Sequence, residues 1–128
     1  IEISRTTVAA FAAALNAQPL ALPQMLCAWQ QTQAKPRQVV IAGPPGREDT
    51  VSLMATVFSL YDPGRIVLLA ESGVNQQFLA ASLPFLNQMG MIDGKATAYV
   101  CQDFTCQLPV HDPESLHRQL IPGTKPPK

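Results

Sequence analysis

Arg37-Gln38-Val39-Val40-Ile41-Ala42-Gly43-Pro44-Pro45-Gly46 is the stretch on which the fold turns. A short run rich in β-branched residues, closed by a Gly-Pro-Pro-Gly turn signal, reads as a buried strand. Asp49 or Thr50 then caps a helix that carries Val51, Met54, Phe58 and Tyr61 on one face, and Asp62-Pro63-Gly64 ends it. Arg65-Ile66-Val67-Leu68-Leu69-Ala70 follows as a second strand, apolar on both faces. Strand, helix and strand in so short a span form a βαβ unit, which predicts parallel strands joined by a right-handed crossover. A fully buried parallel pair accounts for the lack of alternation.

Towards the C-terminus, Asn75 caps a helix with the stripe Phe78, Leu79, Leu83, Leu86 and Met89, and Pro84 predicts a kink or a restart. After the Asp93-Gly94 turn, Ala96 to Cys101 and Thr105 to Val110 read as the strands of a hairpin, Lys95–Val110, joined tightly at Gln102-Asp103-Phe104-Thr105. Asp112 as cap and Pro113 in the first turn open a last helix, which packs through Leu116 and Leu120. Residues 122–128 have little to bury and read as a disordered tail. Towards the N-terminus, Thr6 or Thr7 caps a helix carrying Val8, Phe11, Ala12 and Leu15. A second helix carries Leu22, Met25, Leu26 and Trp29, and core packing is the ordinary reading of such a stripe.

The fold class is therefore α/β. An N-terminal helical hairpin over 1–35 precedes a domain over 36–121 with the order β-α-β-α-β-β-α. That order is thioredoxin-like or, more generally, a three-layer αβα arrangement with a mixed sheet.

Of the 128 residues 47% are hydrophobic and 14% charged, and nine basic side chains balance nine acidic ones. Without a basic field, neither a nucleic acid nor an anionic membrane is an expected partner. A free-standing domain is usually about a quarter charged, so part of the apolar surface is expected to face a neighbour. That neighbour is the remainder of a larger polypeptide, or a second copy associating through exposed apolar helices. No apolar run approaches the ~18 residues of a membrane-spanning helix, and Ile1-Glu2-Ile3-Ser4-Arg5 does not resemble a leader. Three cysteines, an odd count, fit a reducing compartment, and the cytoplasm is the expected location.

Three places invite chemistry. Cys101 and Cys106 face each other across the hairpin whether its loop has two or four residues, and a two-residue loop puts them in the closely spaced, non-hydrogen-bonded pair. A reduced structural pair, a structural or regulatory disulfide and a redox couple all remain open. The last lacks the helix N-terminus or cation that would ionise an attacking thiol. The string Cys101, Cys106, His111, His117 contains residue types that zinc accepts, but only four residues separate its inner members, too few for a two-cysteine, two-histidine finger. The loop Gly43-Pro44-Pro45-Gly46-Arg47-Glu48 lies where a βαβ unit binds small anions or nucleotides. Its prolines remove N–H donors, however, and Glu48 and Asp49 repel anions. No catalytic residue, metal ligand or cofactor is expected.

The strand Gln38–Gly43, the segment Leu83-Pro84-Phe85-Leu86 and above all Gly94–Cys101 with Cys106–Val110 carry a resemblance. They resemble the C-terminal region of the thioredoxin-domain-containing, spermatogenesis-associated and bacterial YyaL-like family, and Leu20-Ala21-Leu22-Pro23-Gln24 looks like that family's final helices. The resemblance implies a larger protein with an N-terminal thioredoxin-like domain bearing a Cys-x-x-Cys site and an (α/α)6 toroid akin to sugar epimerases and six-hairpin glycosidases, hence carbohydrate chemistry. Residues 1–35 are then helices of the toroid or its border. The Cys-x-x-Cys motif has no counterpart here, so the resemblance transfers no redox or catalytic residue.

Overall fold

The computed structural model describes residues 2–33, 35–71, 73–103 and 105–121. The chain divides into two compact units, Ile1–Pro36 and Arg37–Lys128. The expected tail over 122–128 lies outside the described residues.

The first unit is helical: α1 (Glu2–Ala10), α2 (Ala12–Ala17), a 3₁₀ turn (Pro19–Ala21) and α3 (Pro23–Gln33). α1 starts at Glu2, ahead of the threonines read as its cap. Thr6 and Thr7 lie inside the helix, where their hydroxyls donate back to the carbonyls of Glu2 and Ile3 at 3.0 and 2.8 Å. Only Val8 and Leu15 are buried among the unit's described residues, whereas Phe11, Leu26 and Trp29 are exposed. The α3 stripe is thus not the core face that its spacing suggests.

The second unit holds β1 (Arg37–Ala42), α4 (Glu48–Ser59), β2 (Arg65–Ala70), α5 (Val74–Ser82), a 3₁₀ helix (Pro84–Gln88), β3 (Thr97–Gln102), β4 (Thr105–Cys106) and α6 (Pro113–Leu120). The mixed four-stranded sheet has the order β2-β1-β3-β4. β1 and β2 are parallel, with Val39 opposite Val67, and β3 runs antiparallel to β1, with Val40 opposite Tyr99. β1 is central, so Val39, Val40, Ile41 and Ala42 all vanish from solvent. β2 is an edge strand, so Ile66 stays exposed and the expected pair is fully buried on one side only.

Strand alternation sends Val39 and Ile41 into one core with Leu53 and Val57 of α4 and Leu116 and Leu120 of α6. Val40 and Ala42 enter a second core with Ala80 of α5 and Leu86 of the 3₁₀ helix. Helices on both faces of one sheet make three layers.

α4 carries two adjacent apolar stripes. The buried one is Thr50, Leu53 and Val57, while Val51, Phe58 and Tyr61 are exposed and Met54 is half-buried. The expected face is therefore rotated from the observed one. On α5 the same ambiguity leaves Phe78 exposed and buries Ala80. Pro84 restarts the chain as a 3₁₀ turn, as a residue without an N–H donor should. α6 begins as expected, with the Asp112 carboxylate accepting from the Ser115 N–H at 2.8 Å and Pro113 in its first turn. That bond to the Ser115 N–H also holds the Asp112 carboxyl below its ordinary value.

Candidate functional site

The C-terminal edge of β1 leads into α4 through Gly43–Arg47. Gly43 donates to the Ala70 carbonyl at 3.1 Å, which holds the end of β1 against β2. A Cβ on Gly43 would fall 2.4 Å from Thr50 Oγ1 and 3.2 Å from Ala96 Cβ, so glycine is required by close approach. Gly46 has φ +83°, the left-handed turn that lets α4 start at Glu48.

Asp49 organises this edge. Its Oδ1 accepts from Arg47 Nε at 2.6 Å and from its neighbour Thr50's N–H at 2.8 Å. Its Oδ2 accepts from Arg47 Nη2 at 2.7 Å and from the Ala96 N–H at 2.9 Å, just before β3. A residue read as a helix cap is thus one position inside α4 and serves as a clamp across the sheet edge. The Arg47 guanidinium, then the Ala96 and Thr50 amides, hold the Asp49 carboxyl well below the usual carboxylate range, against a smaller opposing cost of desolvation. In return the carboxylate raises the Arg47 guanidinium above its ordinary value, through their hydrogen bonds.

His111 closes the same edge from the α6 side. Its Nδ1 lies 3.2 Å from the Ala96 carbonyl and 3.2 Å from Thr97 Oγ1. A carbonyl only accepts, so Nδ1 carries the hydrogen and donates. Thr97 is itself fixed, donating to the Lys95 carbonyl and accepting from the Ile92 N–H, both at 3.0 Å. Arg47, Glu48, Asp49, Ser52, His111 and Pro113 line a shallow cleft of about 500 Å³ here. Its Arg47 cation is engaged by the chain's own Asp49 carboxylate, and Glu48 adds a second acidic group to the lining that any entering anion or nucleotide phosphate would meet.

Asp49's folded pKa lies below its unfolded one, near 4. Its contribution to stability is complete above about pH 4 and drains away as the pH falls towards the folded value. Asp49→Asn is expected to lower the melting temperature at neutral pH and to flatten the loss of stability between about pH 4 and 2. Thermal melts of both proteins across that range check this, and parallel acid limbs contradict it.

The hairpin is the other site. Gln102 pairs with Thr105, so the loop is the two-residue one, and Cys101 stands opposite Cys106. The ladder continues with the Gln107 N–H donating to the Val100 carbonyl at 2.9 Å. The Cys101 and Cys106 sulfurs are bonded, 2.09 Å apart, with Cα atoms at 3.9 Å. Asp103 takes φ +50° in the tight loop. Phe104 lies outside the described residues. Cys101 belongs to the second core and is 4% exposed; Cys106 is exposed. Of the other residues in the zinc-type string, His111 is turned towards Ala96 and Thr97, and His117 is exposed on α6. Among the described residues no group of three or more His, Cys, Asp or Glu side chains comes together as a metal site. No helix among them is long and apolar enough to cross a membrane.

These features define a mixed α/β unit, tied across its loop edge by its own polar side chains and preceded by a helical unit. Segments like it occur in much longer proteins. The chain is 37% identical over 113 residues to human spermatogenesis-associated protein 20, covering 88% of the chain and 14% of the human protein. The rat protein of the same name is 35% identical over 111 residues, again spanning 14% of its length. No family model matches the chain, and no solved structure matches it.

Proposed function

We propose that this chain is a non-catalytic C-terminal α/β domain of a larger thioredoxin-domain, sugar-epimerase-like protein, and that its role is to pack against the rest of that polypeptide. The observation that carries this reading is the thin core of the helical unit. Two buried side chains among its described residues, Val8 and Leu15, are too few to offset the ordering of a segment of this length. The groove beside them, about 880 Å³ and lined by Val8, Ala12, Leu15, Leu26 and Trp29 with polar residues such as Arg5 and Gln33, is open and more apolar than polar. Helices that border a toroid complete their core with neighbouring helices, which accounts for both features. Phe58, Tyr61, Phe78 and Leu108, all exposed on the α/β unit, are further apolar surface that favours packing against other parts of the polypeptide.

The sheet order β2-β1-β3-β4, with β3 reversed, supports a thioredoxin-like reading of the second unit. Its β1–α4 loop reads Pro44-Pro45-Gly46-Arg47 and contains no cysteine, which favours a packing role over a redox one. Sedimentation of the 128-residue chain with the separately expressed remainder of the longer polypeptide tests the proposal. A stoichiometric complex is the expected result. A chain that stays monomeric and binds nothing contradicts it, and so does a homodimer that the remainder fails to displace.

A further inference from the structure

We propose that Cys106 is a thiol-modification site, at which a small-molecule thiol attacks the hairpin disulfide and forms a mixed disulfide, with Cys101 as the buried leaving and resolving thiol. The inference is independent of the packing role and rests on the unequal surroundings of the two sulfurs.

Thiol–disulfide exchange proceeds by attack of a thiolate on one sulfur and departure of the other, so access decides which sulfur is attacked. Cys106 sits on the two-residue strand β4, at the sheet edge and exposed to solvent. Cys101 sits in the core formed by Val40, Ala80, Leu86, Met89 and Tyr99, where an incoming thiolate has no path. The attacking thiolate RS⁻ therefore bonds to Cys106 Sγ, the Cys101–Cys106 bond breaks with its electron pair on Cys101 Sγ, and that thiolate takes a proton from water. A second RS⁻ can then attack the R sulfur, releasing RSSR and a Cys106 thiolate. Two thiols are oxidised and one protein disulfide is reduced, so the electrons balance.

The released Cys101 thiol stands opposite Cys106 across the non-hydrogen-bonded pair, where, on losing its proton again, it attacks Cys106 Sγ and expels R as RS⁻. The wild-type adduct is short-lived for that reason, and removing the Cys101 sulfur makes it persist. Cys27, the remaining cysteine, is exposed and would confuse the readout, so the experiment uses Cys27→Ser throughout.

The test treats the chain with excess glutathione, quenches with acid at intervals and maps adducts by peptide mass spectrometry. The expected result is a glutathione adduct on the Cys106 peptide at early times, with Cys101 free. With glutathione disulfide, Cys101→Ser and Cys101→Ala are expected to hold the Cys106 adduct at least tenfold longer after the small disulfide is washed out. Mapping on the Cys27→Ser chain needs neither Cys101 variant and so stands even if neither of those folds. An adduct on Cys101, equal labelling of both cysteines, or a disulfide that survives unreacted overturns the proposal. So does a chain in which both thiols are already free under oxidising conditions.

Discussion

Leu53→Ala is expected to remove about 2–5 kcal/mol from the unfolding free energy of the α/β unit. Leu53 has no solvent exposure and lies on the stripe of α4 that meets Val39 and Ile41 of the central strand and Leu116 and Leu120 of α6. A strand and two helices converge there, so neighbours cannot collapse into the space left without moving one of them. Urea denaturation followed by far-UV circular dichroism reads the loss as a lower midpoint at unchanged slope. The same experiment on Val51→Ala, two residues earlier on the far side of the helix and half exposed, is the control and should shift the midpoint little. A larger loss at Val51 than at Leu53 would mean that α4 is docked by the stripe its spacing first suggests, and equal losses would contradict the observed docking.

Gly43→Ala is expected to cost about 1–3 kcal/mol, the usual range for overpacking a filled site. The new methyl lands against Thr50 Oγ1, in the first turn of α4, and near Ala96 beside β3, so the helix, the strand end and the Asp49 clamp are all pushed apart. Thr50 is buried and its hydroxyl has no hydrogen-bond partner among the described residues, so the close packing there is steric. Thr50→Ala clears the space, and the Gly43→Ala/Thr50→Ala double variant should recover most of the loss. A double-mutant cycle measures this as a coupling of opposite sign to the single penalties. Additive losses would show that the methyl is resisted by backbone instead.

The particular residues show why much of the fold was legible and where legibility stopped. β1, β2 and the caps of α6 were readable because each rests on local chemistry: a β-branched run, a Gly-Pro-Pro-Gly stop, an Asp-Pro start. The hairpin register follows from period-two geometry alone, which puts Cys101 opposite Cys106. Helix faces were less legible. On α4, Val51 and Phe58 compete with Leu53 and Val57 as an apolar stripe, and only the sheet beneath decides between them. Trp29 and Phe78 fit the helical period yet point to solvent, which the spacing cannot distinguish from core. The edge of the sheet was partly legible. Asp49 was recognisable as a helix-start residue, but its bond to the Ala96 amide links positions far apart in sequence, and so does that of His111 to the Ala96 carbonyl. No local pattern announces such contacts.

Amide hydrogen exchange, read by mass spectrometry on the 128-residue chain alone and with the remainder of the longer polypeptide added, tests the packing role most directly. Val39–Ala42 and Thr97–Val100, at the centre of the sheet, should exchange slowly in both conditions. Glu2–Gln33 should exchange rapidly in the chain alone and become protected when the remainder binds. If these helices are as protected as β1 in the chain alone, or gain no protection on addition, the account of an end domain completed by its parent polypeptide is contradicted.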